Sequence, residues 1–387
     1  MSLLKDFFGL ESDYFTEANC NHTSVEIAHQ PEMWQRLCDV LKENEAKIKS
    51  FLERYGCEGR RIILTGAGSS GFAAGLVSCQ VAESFGILSE GIHTTNIVSA
   101  PDAFIKDTPT LLISFARSGN SPESVGAVQM CRKLISDLCE IAIICDNTSK
   151  LGICTKESDK SLLLVLPEGT NDKGFAMTSS VTSMILAGFA VFGIDKLNEI
   201  IKDINNLCEK VKKSSQSLAK TAQDVVNLDI ERLWYIGSGA GEALMREGAL
   251  KTMELTNGKI IAGSNNAAEF RHGPKTVINS KTATIHFVSS NAYTEKYDKD
   301  LLDELIRERD GNKVVSITNK ICLSDFSVKY DVSDFGVLKH VAAGVFSLVF
   351  MQILSVFASI KLGVPTDNPS PSGLVNRVVQ GVTIYPI

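Results

Sequence analysis

The sequence predicts an α/β protein made of two similar domains, each a parallel sheet covered by helices. Three observations predict it. Short apolar runs alternate with longer segments of helical spacing, the pattern of a parallel sheet with crossover helices. RIILTGAGSSG at 61–71, TLLISFARSGN at 110–120 and IAIICDN at 141–147 return in order as RLWYIGSGAGE at 232–242, ATIHFVSSNAY at 283–293 and VVSITNK at 314–320, at offsets of 171–173 residues. That spacing is one domain type present twice. In both copies a glycine-rich loop follows the first strand and opens a helix.

Residues 1–55 read as a helical N-terminal segment, its long helix over 31–55 with Pro31 in the first turn. The first domain spans 56–197, with strands RIILTG, TLLISF, EIAIICD and SLLLVLP and one more near HTTNIV. A polar helical stretch over 198–229 connects it to the second domain, 230–387, which includes the C-terminal segment. Residues 341–360 carry no charge and are long enough to cross a bilayer. Ser347, Gln352, Ser355 and Ser359 interrupt the run and no basic cluster flanks it, so a buried helix at a domain or subunit interface is expected instead of a membrane span.

With 44% hydrophobic and 22% charged residues the 387-residue chain is of globular composition, and a net charge of −6 gives no footprint for nucleic acid. The expected partners are small molecules and further copies of the chain. Its ten cysteines (20, 38, 57, 79, 131, 139, 145, 154, 208 and 322) include no Cys-x-x-Cys pair. They read as core-filling thiols of a reducing compartment. The N-terminus lacks the pattern of a signal peptide, so the expected location is the cytoplasm.

GAGSSG at 66–71 fits Gly-x-Gly-x-x-Gly, yet the strand that follows has no acidic residue at its end to hold a ribose. The loop offers Ser69 and Ser70 instead, and ARSGNSPES adds Ser118, Ser121 and Ser124. Hydroxyls and helix-start amides at two strand ends suit a phosphomonoester; helix capping is the alternative for any single serine. In the second copy GSGAGE has no serine pair and leads into ALMREGALKTMEL, where Glu247, Lys251 and Glu254 share one helical face. A solvated face of ion pairs is one reading. Neighbouring Leu244, Ala249 and Leu255 favour a packed helix whose carboxylates have shifted pKa values. AAEFRHGPK at 267–275 gathers Glu269, Arg271, His272 and Lys275 around Gly273-Pro274, which by itself fits a catalytic turn or a soluble loop.

GAGSS, ARSGNSPES, EGALKTMEL and EFRHGP in this order resemble the motifs of tandem sugar-isomerase (SIS) domain proteins, such as the isomerase half of glucosamine-6-phosphate synthase. FRHGPK, the SSxxYxxxYDxxLLxEL pattern at 289–305 and the ending DNPSPSGLVNRVVQGVTIYP resemble more closely the tagatose-6-phosphate ketose/aldose isomerase or D-galactosamine-6-phosphate deaminase branch. The resemblance implies two SIS-type α/β/α domains, with ligand at the carboxyl edge of the first sheet and catalytic residues mainly from the second domain. It implies phosphate binding by Ser70, Ser118 and Ser121 with support from Ser69 and Arg117. It also implies that Glu254 moves the proton between C1 and C2, that Glu247 and Lys251 support it, and that His272 opens the sugar ring.

One departure bears on the reaction. The synthase's imine-forming lysine near the C-terminus is matched here by Gln380, and its glutamine-hydrolysing domain has no counterpart in this sequence. The expected reaction is therefore conversion of a 2-amino-2-deoxyhexose 6-phosphate, D-galactosamine 6-phosphate above all, to tagatose 6-phosphate and ammonia. The alternatives are a ketose/aldose isomerase of hexose 6-phosphates without deamination and a non-catalytic sugar-phosphate sensor. The chemistry calls for no metal and no redox cofactor. A homodimer or higher homo-oligomer is expected, with no nucleic acid or membrane partner.

Overall fold

A computed structural model of the protein describes residues 3–308, 311–320 and 324–387; Cys322 lies outside the described residues. The chain divides into two compact units. One comprises Met33–Asp172, Ser179–Lys202 and Gly373–Ile387, the other Met1–Glu32, Lys173–Thr178 and Asp203–Ser372.

The N-terminal segment is helical: α1 (Leu3–Phe8), α2 (Ser12–Glu17), α3 (Asn21–Ala28) and α4 (Gln30–Tyr55). Phe8 and Phe15 pack against Phe357 of the long apolar helix described below. Then follow β1 (Arg61–Gly66), α5 (Ser69–Phe85), β2 (Glu90–His93), α6 (Thr94–Ser99), α7 (Pro101–Phe104), β3 (Thr110–Ala116), α8 (Pro122–Leu134), β4 (Leu138–Ile144), α9 (Lys150–Lys156), β5 (Ser161–Val165) and α10 (Ser179–Phe192). The five strands are all parallel in the order β2-β1-β3-β4-β5. β3 is buried at every position, as a central strand covered on both faces must be. Ile63, Leu112, Ala142 and Ile144 meet Ile97, Ala127, Cys131 and Leu151 on one side, while α5 and α10 cover the other.

A 30-residue helix, α11 (Leu197–Val226), leads to β6 (Arg232–Ile236), α12 (Ala240–Leu255), β7 (Ile261–Asn265), α13 (Ala267–Phe270), β8 (Thr282–Phe287), α14 (Thr294–Glu308), β9 (Lys313–Thr318), β10 (Phe326–Lys329) and α15 (Lys339–Lys361). The second sheet, order β10-β9-β8-β6-β7, is parallel and has the connectivity of the first. Ile236, Phe270, Val288, Leu301, Leu305 and Val314 form the core under α13 and α14. On the opposite face α12 packs against α15.

α15 contains the uncharged run. It is long and apolar enough to cross a membrane and is wholly buried within the protein. Its polar groups are satisfied inside: Gln352 Oε1 accepts from Gln30 Nε2 at 2.8 Å, and Ser347 and Ser355 donate to carbonyls one turn back.

One reading of the sequence is refined and another corrected. The strand expected near HTTNIV lies just before it: β2 ends at His93, and Thr94–Ser99 form a helix that drives Ile97 into the core. The thiols do not all fill the core. Cys20, Cys38, Cys131, Cys139 and Cys208 are buried, but Cys79 points outward from α5 because it falls on that helix's solvent side.

Candidate active site

The first domain places its serine-rich loops at the carboxyl ends of neighbouring strands β1 and β3. Gly68, at φ 54° and ψ −124°, turns the chain into α5, a conformation only glycine adopts without strain. A Cβ on Gly66 would stand 2.5 Å from the backbone of Ser70, so glycine is needed there too. Ser69 and Ser70 thus open the first turn of a 17-residue helix, where the helix dipole favours an anion. Both are almost fully buried.

Ser121 caps α8: its hydroxyl accepts from the Ser124 amide at 3.3 Å and shares a 2.7 Å hydrogen bond with the Ser124 hydroxyl. Ser118 is half-buried and its hydroxyl accepts a long contact, 3.3 Å, from the Asn120 amide. Arg117 is buried, and its guanidinium donates to the Arg377 carbonyl at 2.7 Å. Arg377 in turn donates to the Asp172 carbonyl and, at 3.2 Å, to Asn171 Oδ1. The C-terminal residues are therefore strapped to the first domain beside the Ser118–Ser121 loop, and Ile384 packs against Gly126 of α8. Gln380 is exposed within this strap.

Sequence reasoning missed His93. His93 ends β2 in register with Gly66, and its ring lies against Gly71 in the first turn of α5, a closeness that depends on strand register and not on local pattern.

In the second domain Glu247, Lys251 and Glu254 project from one face of α12, as their spacing predicts. This face is not solvated: side-chain exposure is 3% for Glu247, 0% for Lys251 and 25% for Glu254. Lys251 Nζ stands 3.4 Å from Glu247 Oε1 and donates to Glu254 Oε2. The opposite face holds the helix still. Gly248 lets Met351 and Tyr235 approach where any Cβ would collide, and the Tyr235 hydroxyl meets Thr252 Oγ1 at 2.7 Å, which reaches Ser355 at 3.3 Å. A buried ammonium between two carboxylates on a fixed helix leaves one of them, Glu254, open to a substrate proton.

The four ionisable groups of the Gly273-Pro274 turn divide by role. Arg271 donates to Glu304 and Asp300 at 2.8 and 2.9 Å, and Lys275 pairs with Glu304 and Glu308, tying the turn to α14. Buried Phe270 and the Asn266 cap on the Glu269 amide, 2.8 Å, fix its start. His272 is left exposed on this clamped turn. Among the described residues no hydrogen bond or ion pair joins it to Glu254. The serine loops belong to one compact unit, and Glu247, Lys251, Glu254 and His272 to the other. No group of three or more His, Cys, Asp or Glu side chains able to hold a metal occurs among the described residues.

No family model matches the chain. It is 33% identical over 385 residues to the D-galactosamine-6-phosphate deaminase AgaS of Shewanella sp. (strain ANA-3), covering 97% of this chain and 95% of that one. A solved structure from Clostridium novyi NT superposes with a TM-score of 0.92 at 35% identity and covers 100% of both chains. The tagatose-6-phosphate ketose/aldose isomerase of Escherichia coli superposes with a TM-score of 0.86 at 32% identity, over 94% of this chain and 96% of that one.

Proposed function

The chain belongs to the AgaS family of D-galactosamine-6-phosphate deaminases, and on that premise we propose that it converts D-galactosamine 6-phosphate to tagatose 6-phosphate and ammonia. The observation that carries this reading is the Glu247–Lys251–Glu254 arrangement, in which two members are buried and only Glu254 is accessible.

In this reading the α5 and α8 helix starts, with Ser69, Ser70, Ser118 and Ser121, receive the 6-phosphate, and Arg117 adds positive charge beside them. His272 transfers the proton that opens the pyranose, giving an aldehyde at C1. Glu254 then removes the C2 proton, the electron pair forms the C1–C2 double bond, and the C1 oxygen takes a proton. Return of the proton from Glu254 to C1 moves the double bond to C2–N and leaves a ketimine. Water adds to C2, the C–N bond breaks and ammonia leaves, with the ketone as product. Lys251 holds Glu254 in place and stabilises its charge before the first transfer and after the second. Gln380, where the synthase has an amine, leaves the ketimine to water.

The exposed, rigidly clamped His272 suits a group that completes the site of a neighbouring subunit, so the working form in this reading is a homo-oligomer. The free thiols fit a reducing compartment, the cytoplasm.

The test is incubation of the purified protein with D-galactosamine 6-phosphate, D-glucosamine 6-phosphate and tagatose 6-phosphate, with ammonia and sugar products assayed in each. Ammonia from galactosamine 6-phosphate is the expected result. Aldose from tagatose 6-phosphate without ammonia from either amino sugar would establish the second reading, isomerase alone, which the likeness to the Escherichia coli isomerase favours. Tight binding without turnover would leave a sensor.

A further inference from the structure

The second domain keeps the shape of the first domain's anion site but not its serines. Gly239 turns into α12 at φ 60° and ψ −129°, nearly the geometry of Gly68 at the start of α5. Ala240 and Gly241 stand where the first domain has Ser69 and Ser70, and α12 is a full 16-residue helix with its amino end at a strand edge. The loop after β8 corresponds to the serine loop after β3, and α14 corresponds to α8.

Between these two loops lies a carboxylate. Asp298, on the second turn of α14, is fully buried, and its Oδ2 accepts from the Ser289 amide at 3.0 Å. Its Oδ1 is buried without a hydrogen bond of normal geometry among the described residues, while the hydroxyl and amide of Ser238, in the glycine loop, act on the same carboxyl. Both elements that would cradle a phosphate thus converge on one side chain of the chain itself. The corresponding turn of α8 carries Ser124, Val125 and Gly126, none of them acidic, while Glu123, one residue earlier in the first turn, is buried with its Oε2 unbonded among the described residues.

We propose that the glycine-loop site of the second domain is filled by the chain's own Asp298 carboxylate, which stands where a ligand's phosphate would, so that each chain accepts one sugar phosphate, in its first domain. The carboxyl is pushed up to about 6 by burial, so at neutral pH it is ionised and excludes a second anion from the same donors. A buried aspartate with one oxygen poorly bonded is a costly way to fill a core, and an anion-accepting helix start is the feature that offsets this cost.

The experiment reads anion binding and not turnover, so it stands or falls separately from the proposed reaction. In a Ser70→Ala/Ser118→Ala background, which mutes the first-domain site, the melting temperature is compared in inorganic phosphate and in chloride of equal ionic strength, with and without Asp298→Ala. With Asp298 intact, phosphate gives no specific rise. With Asp298→Ala it gives a rise of roughly 3 °C at a tenfold excess over the dissociation constant. If Asp298→Ala does not fold in chloride, its rescue by phosphate is the same expected result. An equal phosphate response with Asp298 intact, a folded Asp298→Ala protein that ignores phosphate, or failure of phosphate to rescue an unfolded one overturns the proposal.

Discussion

Lys251 sits with no exposed side-chain surface between Glu247, 3.4 Å away, and Glu254, which it hydrogen-bonds. The two carboxylates are not equivalent: one shares the lysine's burial and the other reaches the surface. Their substitutions should therefore separate stability from catalysis. Glu254→Gln keeps the side chain's shape and removes the base, so turnover should fall at least ~100-fold with KM nearly unchanged and little change in stability. Near-normal turnover would move the proton transfer to another group, Glu269 being the next candidate. Lys251→Met leaves Glu247 buried without its cation, and denaturant unfolding should show a loss of roughly 3–5 kcal/mol.

The serine loops separate in a similar way. Among the described residues the Ser118 hydroxyl has only the long bond from the Asn120 amide, so Ser118→Ala should weaken sugar-phosphate binding about ten- to a hundred-fold and leave stability alone. Ser121 also caps α8, so Ser121→Ala should lose about 1 kcal/mol of stability as well. Isothermal titration and thermal unfolding of the two variants test this. Equal competition by an unphosphorylated sugar would remove the phosphate assignment.

His272 is exposed on a turn held by Arg271 and Lys275, and nothing in its own chain ties it to Glu254 among the described residues. Mixing inactive His272→Ala with inactive Glu254→Gln protein under conditions that exchange subunits should restore part of the activity. Proven mixed oligomers that stay inactive would place both residues in the site of one chain.

The turn's ionic ties should matter to rate more than to folding. Glu304 accepts from both Arg271 and Lys275, so Glu304→Gln loosens the turn that carries His272. The expected outcome is a fall in kcat of about tenfold with a stability change under about 1 kcal/mol, because these pairs lie near the surface. A large loss of stability with unchanged kcat would give the ties a purely structural role.

Two buried groups near each other in the second domain should give opposite pH effects. Burial lowers the His286 pKa to about 4 from 6.5, so its contribution to stability is present above pH 6.5 and is lost as the pH falls towards 4. Burial raises the Asp298 pKa to about 6 from 3.8, so its contribution is present below pH 3.8 and is lost as the pH rises through 6. Each shift corresponds to about 3 kcal/mol, and between pH 4 and 6 they oppose one another. Arg271 and Asp303 also act on His286, and Glu295 on Asp298. Asp298→Asn should make stability fall more steeply on acidification across this window than in the unmodified protein, and His286→Gln should make it rise. Unchanged slopes in both variants would show that neither group titrates in the window.

The sequence by itself determined the two-sheet α/β fold, because central parallel strands such as β3 are buried on both faces and must be continuously apolar. It also placed Glu247, Lys251 and Glu254 on one face, since helical spacing is a local property. It located β2 only roughly and did not mark the edge strands β7 and β10, which are short and partly exposed and so have no clean pattern. Only the tertiary structure decided which charges are buried: the same Glu–Lys spacing is solvated on an outer helix and dry here, because α15 and β6 pack against the other side of α12 and fix its rotation. Only the tertiary structure, too, turned Arg271 and Lys275 into struts and left His272 exposed, since their partners on α14 lie some thirty residues away along the chain. Asp298 shows the same limit: its place between two loops depends on strand order, which no local pattern encodes.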